Sequence, residues 1–249
     1  MMLRYLVLAE AMRQEAERVA TAATAFLRTG HQTTGRDRVL TALACKMDGT
    51  FGALVEDCRA ERGEAMHHLK TMVEVFIYFY SVVADPTDRT ANGLVAKCVA
   101  DEHAKRLRVI EPGSDELRDW ETFGHELRRE AVAIGTLADL AGPLDGPLGR
   151  WYAHVYRLAC QSAHLGDVLE WMPEEDGQLV VGEMAKTSIG RLRSSTAIYY
   201  AIEMMLSLFE AIATVNVAGL QIDTTPFRAE MRAIREAARR TDRPTGEPA

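Results

Sequence analysis

Residues 196–220, TAIYYAIEMMLSLFEAIATVNVAGL, form an apolar run long enough to cross a bilayer. Glu203, Glu210 and Asn216 interrupt it, and each is costly in hydrocarbon. The run is therefore expected to be a helix at the heart of a soluble bundle, enclosed by other helices rather than by lipid. The remainder of the chain supplies those helices. Residues 2–28 keep helical spacing up to Gly30. From Thr34, the positions Val39, Leu40, Leu43, Met47, Phe51, Leu54 and Cys58 step by three and four straight through Asp48-Gly49, which predicts one helix rather than a hairpin. Leu69, Met72, Val73, Phe76, Ile77 and Tyr80 predict a buried helix within 61–83. Glu74 is the one charge between Thr71 and Ala84, so it is expected to be buried and paired.

Asp85-Pro86 ends that helix, and Thr87 or Asp88 can cap the next, which is expected to reach about Val109. A further helix is expected from Ser114, with Leu117, Trp120, Phe123, Leu127, Ala131, Ile134 and Ala138 as its core stripe. AGPLDGPLG at 141–149 is the strongest loop signal, and nine residues suit a connection inside one bundle. Residues 178–181 suit a short extended piece, and helices are expected over 187–218 and 225–240. The reading is an all-α multi-helix bundle of about seven to eight helices, one domain over 1–240, with a disordered tail at 241–249.

A net charge of −7 argues against a broadly basic surface that coats nucleic acid. Cys45, Cys58, Cys98 and Cys160 are widely spaced and suggest neither a zinc site nor a disulfide framework. The N-terminal apolar run lacks a cleavage signal, and a cytoplasmic protein is expected.

The segment from Gly149 to Met172 reads as the clearest amphipathic helix. At roughly 100° per residue, Trp151, Val155, Leu158, Ser162, Leu165, Leu169 and Met172 fall in one core stripe. Arg157 and His164 share a face nearly opposite, about 20° apart in direction and about 10 Å apart along the axis. Tyr156, Cys160, Val168 and Trp171 lie on that side too, so it is expected to be covered by other helices or by a second subunit. An imidazole there can take a proton from a ribose 2′-OH while a guanidinium stabilises the attacked phosphate, which is RNA cleavage without a metal. Helical side chains lean toward the N-terminus, so Arg157 leans away from His164 and two chains would be needed to assemble a site. The plainer alternative pairs Arg157 with a carboxylate and makes His164 a core histidine.

Arg228, Arg232, Arg235 and Arg239 follow at steps of four, three and four, an arginine face on the last helix. Its ordinary role is a solvated surface paired with Glu230 and Glu236; its functional role is contact with phosphates or with an acidic partner.

HHLKTMVEVFIYFYSVVADP (67–86), a following helix, a Trp-containing helix and WYAHVYRLACQSAH together resemble HEPN-like proteins of the domain of unknown function 5677 type. The resemblance covers about 35–220 and rests on Glu74, Asp85-Pro86, Tyr152, Tyr156, Cys160 and His164. It implies an all-α bundle and, for active relatives, a metal-independent endoribonuclease of toxin–antitoxin or phage-defence systems. The family's Arg, four to six residues and His fall here on Arg157 and His164, with Tyr156, Cys160, Gln161 and Glu74 in support. It further implies a site formed between two subunits, an RNA substrate, and a cognate antitoxin or regulator. No cofactor is implied.

Two other functions compete. One is a noncatalytic bundle whose Arg157/His164 face binds a partner protein or small ligand. The other is a carboxylate-bridged metal protein built on Glu64-x-x-His67 with Glu203 and Glu210, although such a site needs two Glu-x-x-His elements and only one is present.

Overall fold

Apolar residues three and four apart dominate nearly every segment, and such a chain buries them by packing helix against helix. A computed structural model of the chain describes residues 2–28, 34–62, 64–106, 134–143, 145–163, 174–175, 178–179, 188–215 and 219–241. Among them are eight helices: α1 (Met2–Arg28), α2 (Gly35–Arg59), α3 (Ala65–Ala84), α4 (Arg89–Arg106), α5 (Leu137–Ala141), α6, α7 (Ser188–Val215) and α8 (Thr225–Thr241). The sixth runs unbroken through Pro147–Arg150, Trp151–Tyr156 and Arg157–Ala163. Glu174–Glu175 and Gln178–Leu179 pair as a minimal antiparallel ladder, so the extended piece expected near 178 has a partner just before it.

The centre of the bundle is the face-to-face packing of α2, α3 and α7, with α1 laid over α2 and α7 and with α6 against α3. Phe51 from α2, Phe79 from α3 and Phe209 from α7 are fully buried, together with Met12, Leu54, Met72, Ile77 and Ile202. Residues of all eight helices join this one core. Within α7, Arg191–Val215 is long and apolar enough to cross a membrane, yet 56% of its most apolar 18 residues are buried inside the bundle. Tyr80 of α3 donates its hydroxyl to the Ser207 carbonyl at 2.7 Å, and the Cys58 thiol donates to the Ser194 carbonyl at 3.4 Å, so α7 is tied by polar contacts as well.

Local chemistry sets the helix ends. Thr34 and Asp37 form a reciprocal capping box at the start of α2, satisfying two of the backbone donors that a helix start leaves free. The α2 guanidinium of Arg36 donates to the carbonyls of Val82 and Val83, at 3.2 and 2.7 Å, and so closes the C-terminal end of α3. The α2 helix runs through Asp48-Gly49 without a break, as its stripe requires.

Two expectations change. A single helix cannot carry the stripe to Ala138, because Gly135 turns the chain at φ +76° and Thr136 starts the separate helix α5 with its own capping box to Asp139. Residues 107–133, which hold the rest of that stripe, lie outside the described residues, as does the tail from 242. The loop expected over 141–149 is shorter, since Pro147 occupies the first turn of α6, where its missing N–H costs nothing. Helix α8 is strongly two-sided: Met231 and Ile234 are buried, while Arg228, Arg232 and Arg239 are exposed.

Candidate functional site

The middle of α6 departs from the α-helical period. Trp151–Tyr156 is π-helical, with hydrogen bonds reaching one residue further than in an α-helix. Each residue therefore turns through less than the 100° that a regular wheel assumes. Val155 is buried, and the next core position is Ala159, fully buried, while Leu158 stands 39% exposed. Leu158 is thus not a core residue, and the π-helical turn is the reason.

Aromatic packing holds this segment in place. The Trp151 ring meets Phe76 edge-on at 5.5 Å and Tyr200 at 6.0 Å, and Tyr152 stacks on Tyr156 at 5.2 Å. Tyr156 donates its hydroxyl to Glu74 Oε1 at 3.1 Å, and Lys70 Nζ reaches the same oxygen at 3.3 Å. Glu74 is paired as expected, but it is half-buried, 31% exposed, rather than fully enclosed. Burial holds the Tyr156 phenol well above its ordinary range, followed by a hydrogen bond with Cys160 and the Glu74 charge. Tyr156, Cys160 and Glu74 therefore form one connected group.

Arg157 does not join it. Its side chain is exposed and makes no ion pair among the described residues, so the plainer expectation of a carboxylate partner is not met there. His164 and the side chain of Gln161 lie outside the described residues, as do Val168 and Trp171 on the same face.

The arginine face of α8 belongs to another part of the molecule. Arg228 clasps the Glu210 carboxylate through two bonds, Nε to Oε1 at 2.5 Å and Nη2 to Oε2 at 2.7 Å. Arg235 bonds Glu203, donates to Tyr199 Oη at 2.7 Å and lies over the Tyr199 ring at 5.2 Å. These partners come from α7, not from Glu230 and Glu236 on the same helix, and Glu230 instead takes Arg4 of α1 at 2.8 Å. Two of the four arginines are therefore used to dock α8, which leaves Arg232 and Arg239 exposed for any outside anion. The same bonds occupy Glu203 and Glu210, the carboxylates weighed as bridging metal ligands.

Two residues with site chemistry escaped the sequence reading, Arg150 and His154. They line a cavity with Pro147, Trp151, Val155 and Tyr200. Their four-residue spacing is visible in the sequence, but nothing there shows that Tyr200 of α7 closes the space beside them.

Fold and site together define an all-α bundle with a π-helical turn at a half-buried polar cluster. No protein-family model matches the chain, and no characterised protein or solved structure matches it.

Proposed function

We propose that the protein is a HEPN-like, metal-independent endoribonuclease that works as a homodimer, with Arg157 and His164 as its catalytic pair. The observation that supports this reading is Arg157 itself: an exposed guanidinium with no carboxylate partner among the described residues, set at the first turn after a π-helical segment. An unneutralised guanidinium at the edge of an aromatic and polar cluster suits a phosphodiester, which its planar fork can grip by two oxygens.

In the reaction, the imidazole of His164 accepts the proton of a ribose 2′-OH, whose oxygen attacks the adjacent phosphorus. The bond from phosphorus to the 5′ oxygen breaks, that oxygen takes up a proton, and a 2′,3′-cyclic phosphate remains. Arg157 stabilises the extra charge on the phosphate oxygens. Side chains on a helix lean toward its N-terminus, so Arg157 of one chain and His164 of another would complete the pair across two subunits. Tyr156, Cys160, Gln161 and Glu74 position this face, and an antitoxin or regulator would act by covering it.

The test is cleavage of single-stranded RNA by the purified protein in excess chelator. The wild type should leave cyclic-phosphate ends, and Arg157→Ala and His164→Ala should each slow cleavage by about 10²- to 10⁴-fold with the unfolding transition unchanged. No cleavage of any RNA, or cleavage indifferent to both substitutions, rejects the reading. A second reading, a noncatalytic bundle docking a partner protein on the same face, is favoured by Leu158, an exposed leucine beside Arg157. It predicts partner capture without turnover, abolished by Leu158→Glu.

A further inference from the structure

Between the first turns of α6 and Tyr200 of α7 lies a cavity of about 350 Å³, lined by Pro147, Arg150, Trp151, His154, Val155 and Tyr200. Its size falls in the range of about 300–1,000 Å³ common to small-molecule sites. Buried Val155 and the edge-packed rings of Trp151 and Tyr200 make an apolar, rigid wall, and Phe76 braces Trp151 from behind. Arg150 and His154 are both exposed, one helical turn apart, and neither makes an ion pair among the described residues.

The polar groups at this cavity are of one kind. A guanidinium offers five N–H donors and no acceptor, and an imidazole offers at least one ring N–H in either charge state. No carboxylate is among the described residues that line the space, so the complementary ligand group is an anion. The aromatic wall in turn complements a flat ring, which stacks or packs edge-on against Trp and Tyr. Trp151, His154 and Val155 all belong to the π-helical segment, whose widened turn sets the spacing of the three side chains around the cavity. Such turns are rare and recur at functional sites.

We propose that this cavity binds a nucleoside monophosphate, its base against Trp151 and Tyr200 and its phosphate on Arg150 and His154. The site uses neither Arg157 nor His164, so it stands whether or not the protein cleaves RNA.

The experiment is calorimetric titration of the full chain with three probes: AMP, adenosine, which lacks the phosphate, and ribose 5-phosphate, which lacks the base. AMP should bind at least about tenfold more tightly than either fragment, since a charge-assisted hydrogen bond alone is enough for a tenfold change. Arg150→Ala and His154→Ala should each weaken AMP by about tenfold while the thermal transition stays where it is, because both side chains are exposed. Arg150→Lys, which keeps the charge and loses the planar fork, should fall between and guards against a misfolded alanine variant. The proposal is overturned if AMP does not bind, if ribose 5-phosphate or adenosine binds as well as AMP, or if folded variants bind AMP like the wild type.

Discussion

Asp85 closes α3 with its backbone N–H, which donates to the Ser81 carbonyl at 3.2 Å, and reaches α4 with its carboxylate. Its Oδ1 accepts from the Thr87 hydroxyl at 2.6 Å and the Thr87 N–H at 2.8 Å, and its Oδ2 accepts from the Thr90 N–H at 2.8 Å. These bonds, with the Thr87 hydroxyl foremost, hold the carboxyl well below the usual carboxylate range. A folded pKa below the unfolded one, near 3.9 for aspartate, adds stability above that value and loses it as the pH falls toward the folded pKa. Asp85→Asn should therefore melt below the wild type at neutral pH, and the gap should narrow steadily on acidification toward about pH 2, as followed by thermal melts at a series of pH values. A constant gap would mean that the carboxylate charge is irrelevant. At this scale, part of the molecule was readable in advance: Thr34 and Thr87 sit at helix starts as expected. The need of Glu74 for a partner was readable too, because a lone charge inside an apolar helix must find one. Tyr156 as that partner was not, since the contact spans 82 positions and depends on how α6 crosses α3.

Among the elements, α5 and α6 depart furthest from their expected form, and both departures are backbone effects. Gly135 has φ +76°, and a Cβ there would sit 3.0 Å from Asp139 Cβ, against the capping box that starts α5. Gly135→Ala should cost about 1–2 kcal/mol from the left-handed backbone alone, read as a lower midpoint in urea with an unchanged slope. A midpoint equal to that of the wild type would show that the turn has other conformations open to it. The π-helical turn of α6 left almost no trace in the sequence. Trp151 and Val155 suit either helix type, and the next core position is the small Ala159, while leucine at 158 imitates a core residue. Hydrophobic spacing at a fixed period reads regular helices well and misplaces everything after an irregular turn. The docking of α8 was more readable than it looked. Glu203 and Glu210 are seven apart on α7, Arg228 and Arg235 are seven apart on α8, and the two sets meet in antiparallel order.

At the scale of the whole molecule, α7 is enclosed because α1, α2 and α3 pack on it and α8 is strapped across Glu203 and Glu210. The exposed Arg228–Glu210 clasp contributes little by itself, since both side chains are more than two-fifths exposed and solvent screens such pairs. Met231 and Ile234 beneath it carry the larger share through burial. The same enclosure governs Cys58. Its thiol has no exposed surface, faces α7, and is pushed up to about 12, first by burial and then by the Asp57 charge, whereas Cys98 is exposed on α4. Only the thiolate reacts with disulfide reagents, so the two cysteines should differ in kind as well as in rate. Cys98, exposed, should label in buffer without denaturant, and Cys58 only when α2 and α7 come apart, with a rate that rises with denaturant as global unfolding does. Fast labelling of Cys58 in buffer would mean that the α2–α7 seam opens locally. The buried thiol is thus a built-in clock for the separation of two central helices, one that a thiol reagent can read with no residue of the chain altered.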